Sequence, residues 1–172
     1  MRTLDDTLIG GHALRPRTES DESFLFSLYA DTRDDVDTFG WNPDQLRAFL
    51  GLQYRARERS FALRHPSAQS DIVVVQGRAV GRLLVDRRAD RIHLVDIALR
   101  GEHRGTGIGS QLLVTLQEEA ALVGRPLCLQ VRRGSPAMTL YLRLGFVPVG
   151  RVGEPDPFGE YLSMEYLTVE RR

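Results

Sequence analysis

Between Arg91 and Gln117 an apolar run, a glycine-rich turn and a helical repeat follow one another without a break. Ile92, Leu94, Val95, Ile97, Ala98 and Leu99 form a nearly continuous apolar stretch of strand length. Arg104 follows, then three glycines at alternate positions, Gly105, Gly107 and Gly109. Ile108, Leu112, Leu116, Ala120 and Val123 recur at helical spacing, which places the glycines at a helix N-terminus. Glycine lets a ligand approach backbone N–H groups that no side chain screens. A helix start adds orphan donors and partial positive charge, and both favour phosphate. Arg104 supplies a fork of donors suited to the same group. Residues Arg104, Gly105, Thr106, Gly107, Ile108, Gly109 and Ser110 therefore read as a pyrophosphate-binding turn.

Two familiar pyrophosphate ligands fit poorly. A P-loop requires Gly-Lys-Ser/Thr, and the chain has no lysine; every basic residue is Arg. The same absence removes chemistry that carries a cofactor as a lysine Schiff base. Gly105, Gly107 and Ser110 come near a dinucleotide fingerprint. There the first glycine should close the strand directly and open a βαβ unit. Here Arg100 to Arg104 intervene, and hairpin strands precede the motif.

Arg104-x-x-Gly107-x-Gly109, after an apolar strand and before an amphipathic helix, resembles the acetyl-CoA signature of the GCN5-related N-acetyltransferases, the GNAT superfamily. Ser135 to Phe146 resembles that family's second signature, Asn-x-x-Ala-x-x-x-Tyr-x-x-x-Gly-Phe. Ser135 stands where Asn is usual, and Ala137 sits one place early. The resemblance covers roughly Leu14 to Tyr166. It implies an α/β fold: a mixed, mostly antiparallel sheet with helices on both faces and a splayed strand pair that binds acetyl-CoA. The expected layout is a leader over residues 1–11 and one N-acetyltransferase domain over residues 12–172.

Composition is that of an ordinary globular protein, 42% hydrophobic and 27% charged. Formal charge is zero, so no overall field favours nucleic acid or an anionic membrane. No apolar segment approaches a transmembrane span. The single cysteine, Cys128, precludes an intrachain disulfide, and Leu127-Cys128-Leu129 reads as a buried strand. The chain reads as cytoplasmic.

Along the chain, a short strand is expected near His12 to Arg17. A helix capped by Thr18 or Ser20 follows, and a second opens at Asn42-Pro43. The acidic stretch between them, Asp31 to Asn42, reads equally as a solvated loop stapled by Phe39 and Trp41 and as a lip over an acceptor site. Asp71 to Asp86 reads as a hairpin turning at Gly77-Arg78. Gly124 ends the central helix, and Pro126 to Val131 should lie parallel to the central strand. Ser135 should cap a further helix with Pro136 at its first position and Gly145 at its end. Phe146 to Val152 and Tyr161 to Val169 complete the sheet around a loop at residues 153–159.

Acetyl transfer from a thioester to an amine requires a held donor, a deprotonated amine, a stabilised oxyanion and a protonated leaving thiolate. The resemblance implies that residues 104–110 hold the pyrophosphate, with Ser135 and Tyr141 beside the cofactor. It also implies that main-chain groups of Ile97, Ala98 and Leu99 meet the pantetheine arm. Tyr141 takes the acid's place. His93 matches a position where some members carry a base, and Asp96, Glu154, Asp156 and Glu160 are further candidates. No metal is implied, because no His/Cys cluster has ligand spacing. The acceptor is a small-molecule or peptide amine of unspecified identity, and a homodimer is compatible with the chain. A non-catalytic acyl-CoA-binding module is the competing reading, and Ser135 in the place of Asn is its basis.

Overall fold

A computed structural model describes residues 11–33, 36, 40–150 and 159–168. The leader expected over residues 1–11 lies outside these except for Gly11, as do Phe39, Glu154 and Asp156. Seven strands form one mixed, mostly antiparallel sheet in the order β1-β2-β3-β4-β5-β7-β6. They are β1 (Ala13–Pro16), β2 (Gln69–Val75), β3 (Arg78–Arg87), β4 (Ile92–Leu99), β5 (Leu127–Arg132), β6 (Val147–Pro148) and β7 (Tyr161–Tyr166). The helices are α1 (Glu22–Ala30), α2 (Pro43–Arg64), α3 (Ile108–Val123) and α4 (Ala137–Arg143). By backbone proximity the chain divides into two compact units, residues 1–84 with 96–104, and residues 85–95 with 105–172.

In the first unit, α2 starts as the residues demand. Asn42 accepts from the Gln45 amide at 2.9 Å, Gln45 returns the bond to the Asn42 amide at 3.1 Å, and Pro43 opens the helix. Trp41 packs edge-on against Phe49 with ring centroids 4.7 Å apart, the staple read from the sequence. The helix stops at His65, before Pro66. The core here gathers Leu25, Tyr29, Val36, Leu50, Tyr54 and Ile72. The hairpin turn falls one residue earlier than expected, at Gln76 (φ +49°) and Gly77 (φ +75°). Both central residues are left-handed, the geometry that matches strand twist in a two-residue connection.

In the second unit, Ile108, Leu112, Leu113, Leu116 and Ala120 bury the inner face of α3. Val123, expected on that face, is 48% exposed, because it is the last residue before the left-handed cap Gly124 (φ +65°). A helix joins β4 to β5, and the two strands pair in parallel as that connection requires. Their register covers only Ile92–Leu94 against Leu127–Leu129. The rest of β4, through Leu99, has no registered partner in β5. β7 inserts antiparallel between β5 and β6, and it ends at Tyr166, short of the expected boundary. β6 is only two residues long, and Pro148 within it cannot donate to a ladder.

Candidate active site

The glycine turn has the backbone that its composition predicts. Gly105 (φ +72°) and Gly107 (φ +92°) are both left-handed, and Gly107 is the residue from which α3 starts. A β-carbon at either position would meet no atom within 4 Å, so the requirement for glycine is conformational. Gly105, Thr106 and Gly107 are exposed, whereas Ile108 is buried and anchors the turn. The amides of Ile108, Gly109 and Ser110 open the helix, where no preceding carbonyl can accept from them. Such a row of donors on an exposed turn suits an anion. Arg143, on α4, brings Nη2 within 3.5 Å of the Ser110 hydroxyl and adds a cation to this turn. Nothing in the sequence marked Arg143, since its approach depends on how α4 packs.

Arg104 is fastened rather than free. Its Nε donates to the Leu99 carbonyl at 2.9 Å and its Nη2 to the Asp31 carbonyl at 3.3 Å. Arg100 joins the same point, donating to the Asp31 carboxylate at 2.9 Å and to the Ser27 hydroxyl at 3.2 Å. The two arginines thus tie the end of β4 to the C-terminus of α1.

Ile97, Ala98 and Leu99 form the half-buried end of β4 beyond its register with β5. Gly81 on β3 backs them. A β-carbon at Gly81 would stand 2.5 Å from the Ala98 carbonyl and 2.5 Å from Leu99 Cδ2. That approach was invisible in the sequence, where Gly81 is one glycine among many.

The helix that carries Tyr141 begins one residue later than expected. Pro136 is the residue before the first helical turn, and Ser135 lies outside it. The reason is local: the Ser135 hydroxyl accepts from the Ala137 amide at 3.3 Å and its carbonyl from Met138 at 3.0 Å, so Ser135 closes a turn ahead of the helix. Leu140 and Leu144 are half-buried. Tyr141 itself is 6% exposed, its ring edge-on to Phe146 at 5.7 Å, and Phe146 in turn meets Tyr166 at 5.8 Å. Packing in this aromatic row sets the rotational position of Tyr141.

His93 is buried, because β4 is still paired with β5 at this point and Cys128 stands directly opposite. Cys128 donates from Sγ to the Glu165 carboxylate at 3.3 Å. Burial first, and then that carboxylate, push the thiol up to about 12, so the cysteine is no nucleophile at neutral pH. Asp96 is ion-paired with Arg57 at 2.5 Å. Glu160 is exposed and immediately precedes β7. Among the described residues, no group of three His, Cys, Asp or Glu is placed to hold a metal ion. Likewise, no described helix is long and apolar enough to cross a membrane.

Residues 68–148 match the family described as "Acetyltransferase (GNAT) domain". No curated protein sequence matches the chain. Among solved structures, the PaiA N-acetyltransferase of Thermoplasma acidophilum, in complex with coenzyme A, aligns over 90% of this chain and 97% of its own. The TM-score is 0.64 and the identity 16%. A protein of Corynebacterium glutamicum described as histone acetyltransferase HPA2 and related acetyltransferase aligns over 92% and 97%, at TM-score 0.60 and 25% identity. The ribosomal-protein-S18-alanine N-acetyltransferase of Escherichia coli aligns over 90% of each chain, at TM-score 0.57 and 19% identity.

Proposed function

From the match of residues 68–148 to the GNAT acetyltransferase domain, we propose that this chain moves an acetyl group from acetyl-CoA to a primary amine. The transfer is direct, within a ternary complex, and forms no covalent acyl-enzyme. The observation that carries the reading is the turn at 104–110: Gly105 and Gly107 are left-handed, α3 starts from Gly107, and Arg143 stands beside Ser110. These residues suit a pyrophosphate. Ile97, Ala98 and Leu99 offer main-chain groups to an extended pantetheine arm, and an N–H of this strand end is the natural oxyanion donor.

For the leaving thiolate, Tyr141 supplies a phenol, which ordinarily titrates near 10 and is well matched to a thiol near 8.5. His93 is the proposed base, acting through water. Asp96, the other β4 candidate, is ion-paired with Arg57.

Thiol release from acetyl-CoA over a panel of primary amines, run beside a calorimetric titration with acetyl-CoA, tests the reading. Binding accompanied by turnover on at least one amine is expected. Binding without turnover on any amine would leave an acyl-CoA-binding module, and no binding at all would remove the turn as the donor site.

A further inference from the structure

Among the described residues some ion pairs are doubly bonded, and others, such as Arg100 with Asp31, are joined by one bond. Arg15 and Asp21 are doubly bonded, Nη1 to Oδ2 at 2.8 Å and Nη2 to Oδ1 at 2.6 Å. Arg87 and Glu119 are doubly bonded as well, Nε to Oε1 at 2.5 Å and Nη2 to Oε2 at 2.9 Å. Such forks use both carboxylate oxygens and close the pair to a third party. Arg57 and Asp96 are of the singly bonded kind. Among the described residues one hydrogen bond joins them, Nη2 to Oδ1 at 2.5 Å, and the buried Arg82 lies near enough to act on the same carboxylate. The Arg57 side chain keeps 31% of its surface exposed and that of Asp96 keeps 13%, so the pair is recessed but reachable.

Arg57 is held in place by more than its carboxylate. Its guanidinium lies over the Phe61 ring at 5.0 Å from the centroid and the Tyr29 ring at 5.4 Å. Two aromatic contacts hold the guanidinium, and among the described residues its one hydrogen-bond acceptor is Asp96. The neighbouring buried cation, Arg82, is already engaged by Glu58. Asp96 directly precedes Ile97, the first of the residues proposed to meet the donor arm.

We propose that the open Arg57–Asp96 pair recognises a free α-amino acid, with the amine at Asp96 and the carboxylate at Arg57. In an α-amino acid one carbon separates the two charged groups, so their partners must be adjacent, and a cation and anion already in contact meet that demand. A plain amine or a peptide N-terminus lacks the nearby carboxylate and leaves the guanidinium unanswered. This names the acceptor class and rests on the acetyl-transfer reading. The new bond joins amine nitrogen to acetyl carbon, the carbon–sulfur bond breaks, the nitrogen loses a proton and the departing thiolate gains one.

The test uses the full chain loaded with coenzyme A, titrated by calorimetry with the common L-amino acids, their methyl esters and the matched decarboxylated amines. The preferred free acid should bind about 10–100-fold tighter than its ester or amine, the worth of one charge-assisted contact. Arg57→Gln should collapse that ratio. Arg57→Lys should restore only part of it, since an ammonium keeps the charge but not the planar fork. Equal binding of acid and ester, a ratio that survives Arg57→Gln in a folded sample, or no binding of any amino acid at ~10 mM would each overturn the assignment. Thiol release on the same panel separates the two readings. Preferential binding of free acids without turnover would fault acetyl transfer and uphold the site, whereas turnover with no preference for the free acid would do the reverse.

Discussion

Gly81 lies against the carbonyl of Ala98: a β-carbon there would stand 2.5 Å from that oxygen, inside any contact that real side chains make. The missing side chain is what lets β3 back the end of β4 so closely. Gly81→Ala must therefore move main chain, since a carbonyl cannot rotate away as a side chain can. A loss of about 1–3 kcal/mol in a denaturant titration is expected, as for other overpacked sites. Affinity for acetyl-CoA should weaken with it, because Ala98 and Leu99 are displaced. An alanine variant with an unchanged denaturation midpoint and unchanged affinity would mean that β4 tolerates the shift.

Gly107 tests the turn more directly. At φ +92° a β-branched residue is strained, and its side chain would enter the open space before the α3 amides. Gly107→Val should abolish measurable acetyl-CoA binding while the fold survives, as the surroundings are empty of protein atoms. Calorimetry on a folded sample decides it, and wild-type affinity would sink the turn as a pyrophosphate site.

Tyr141→Phe keeps the edge-on packing against Phe146 and removes the phenol proton. The melting temperature should barely change and acetyl-CoA should still bind. The turnover number should fall by roughly 10²–10⁴-fold, the span of a positioned acid. A Phe variant as fast as the parent would reduce Tyr141 to a core residue.

If His93 is the base, kcat/KM should rise with pH as one essential group loses its proton. His93→Gln should remove that limb of the profile. The profile is the readout, because replacing a buried residue costs some stability whatever its role. An unaltered limb would return the search to Asp96 or to an acceptor that arrives already deprotonated.

Asp21 offers a pH test of the fold. The Arg15 guanidinium, with the Thr18 amide and hydroxyl, holds its carboxyl well below the usual carboxylate range. A depressed pKa contributes stability that is complete above the unfolded value near 3.9 and is lost as pH falls from there through the folded value. Asp21→Asn should therefore cost about 1–3 kcal/mol at pH 7, and the gap from the parent should narrow steadily below pH ~4. A gap that stays constant down to pH ~2 would show that the carboxylate's charge is not what Arg15 recognises.

Much of this protein was determined by its sequence alone, because the signals are local. The strand–turn–helix at 91–123 shows in its periodicity and its glycines, and the backbone of Gly107 follows from what only glycine adopts freely. Asn42-Pro43 specifies the start of α2, and a helix between β4 and β5 specifies their parallel pairing. What the tertiary structure alone decided is contact between residues far apart in the chain. The burial of His93 comes from β5, whose Cys128 stands opposite it. Arg143 beside Ser110, Gly81 against Ala98 and Arg57 on Asp96 join positions 17 to 39 residues apart. No spacing rule spans such distances, because packing selects those neighbours only after the elements exist.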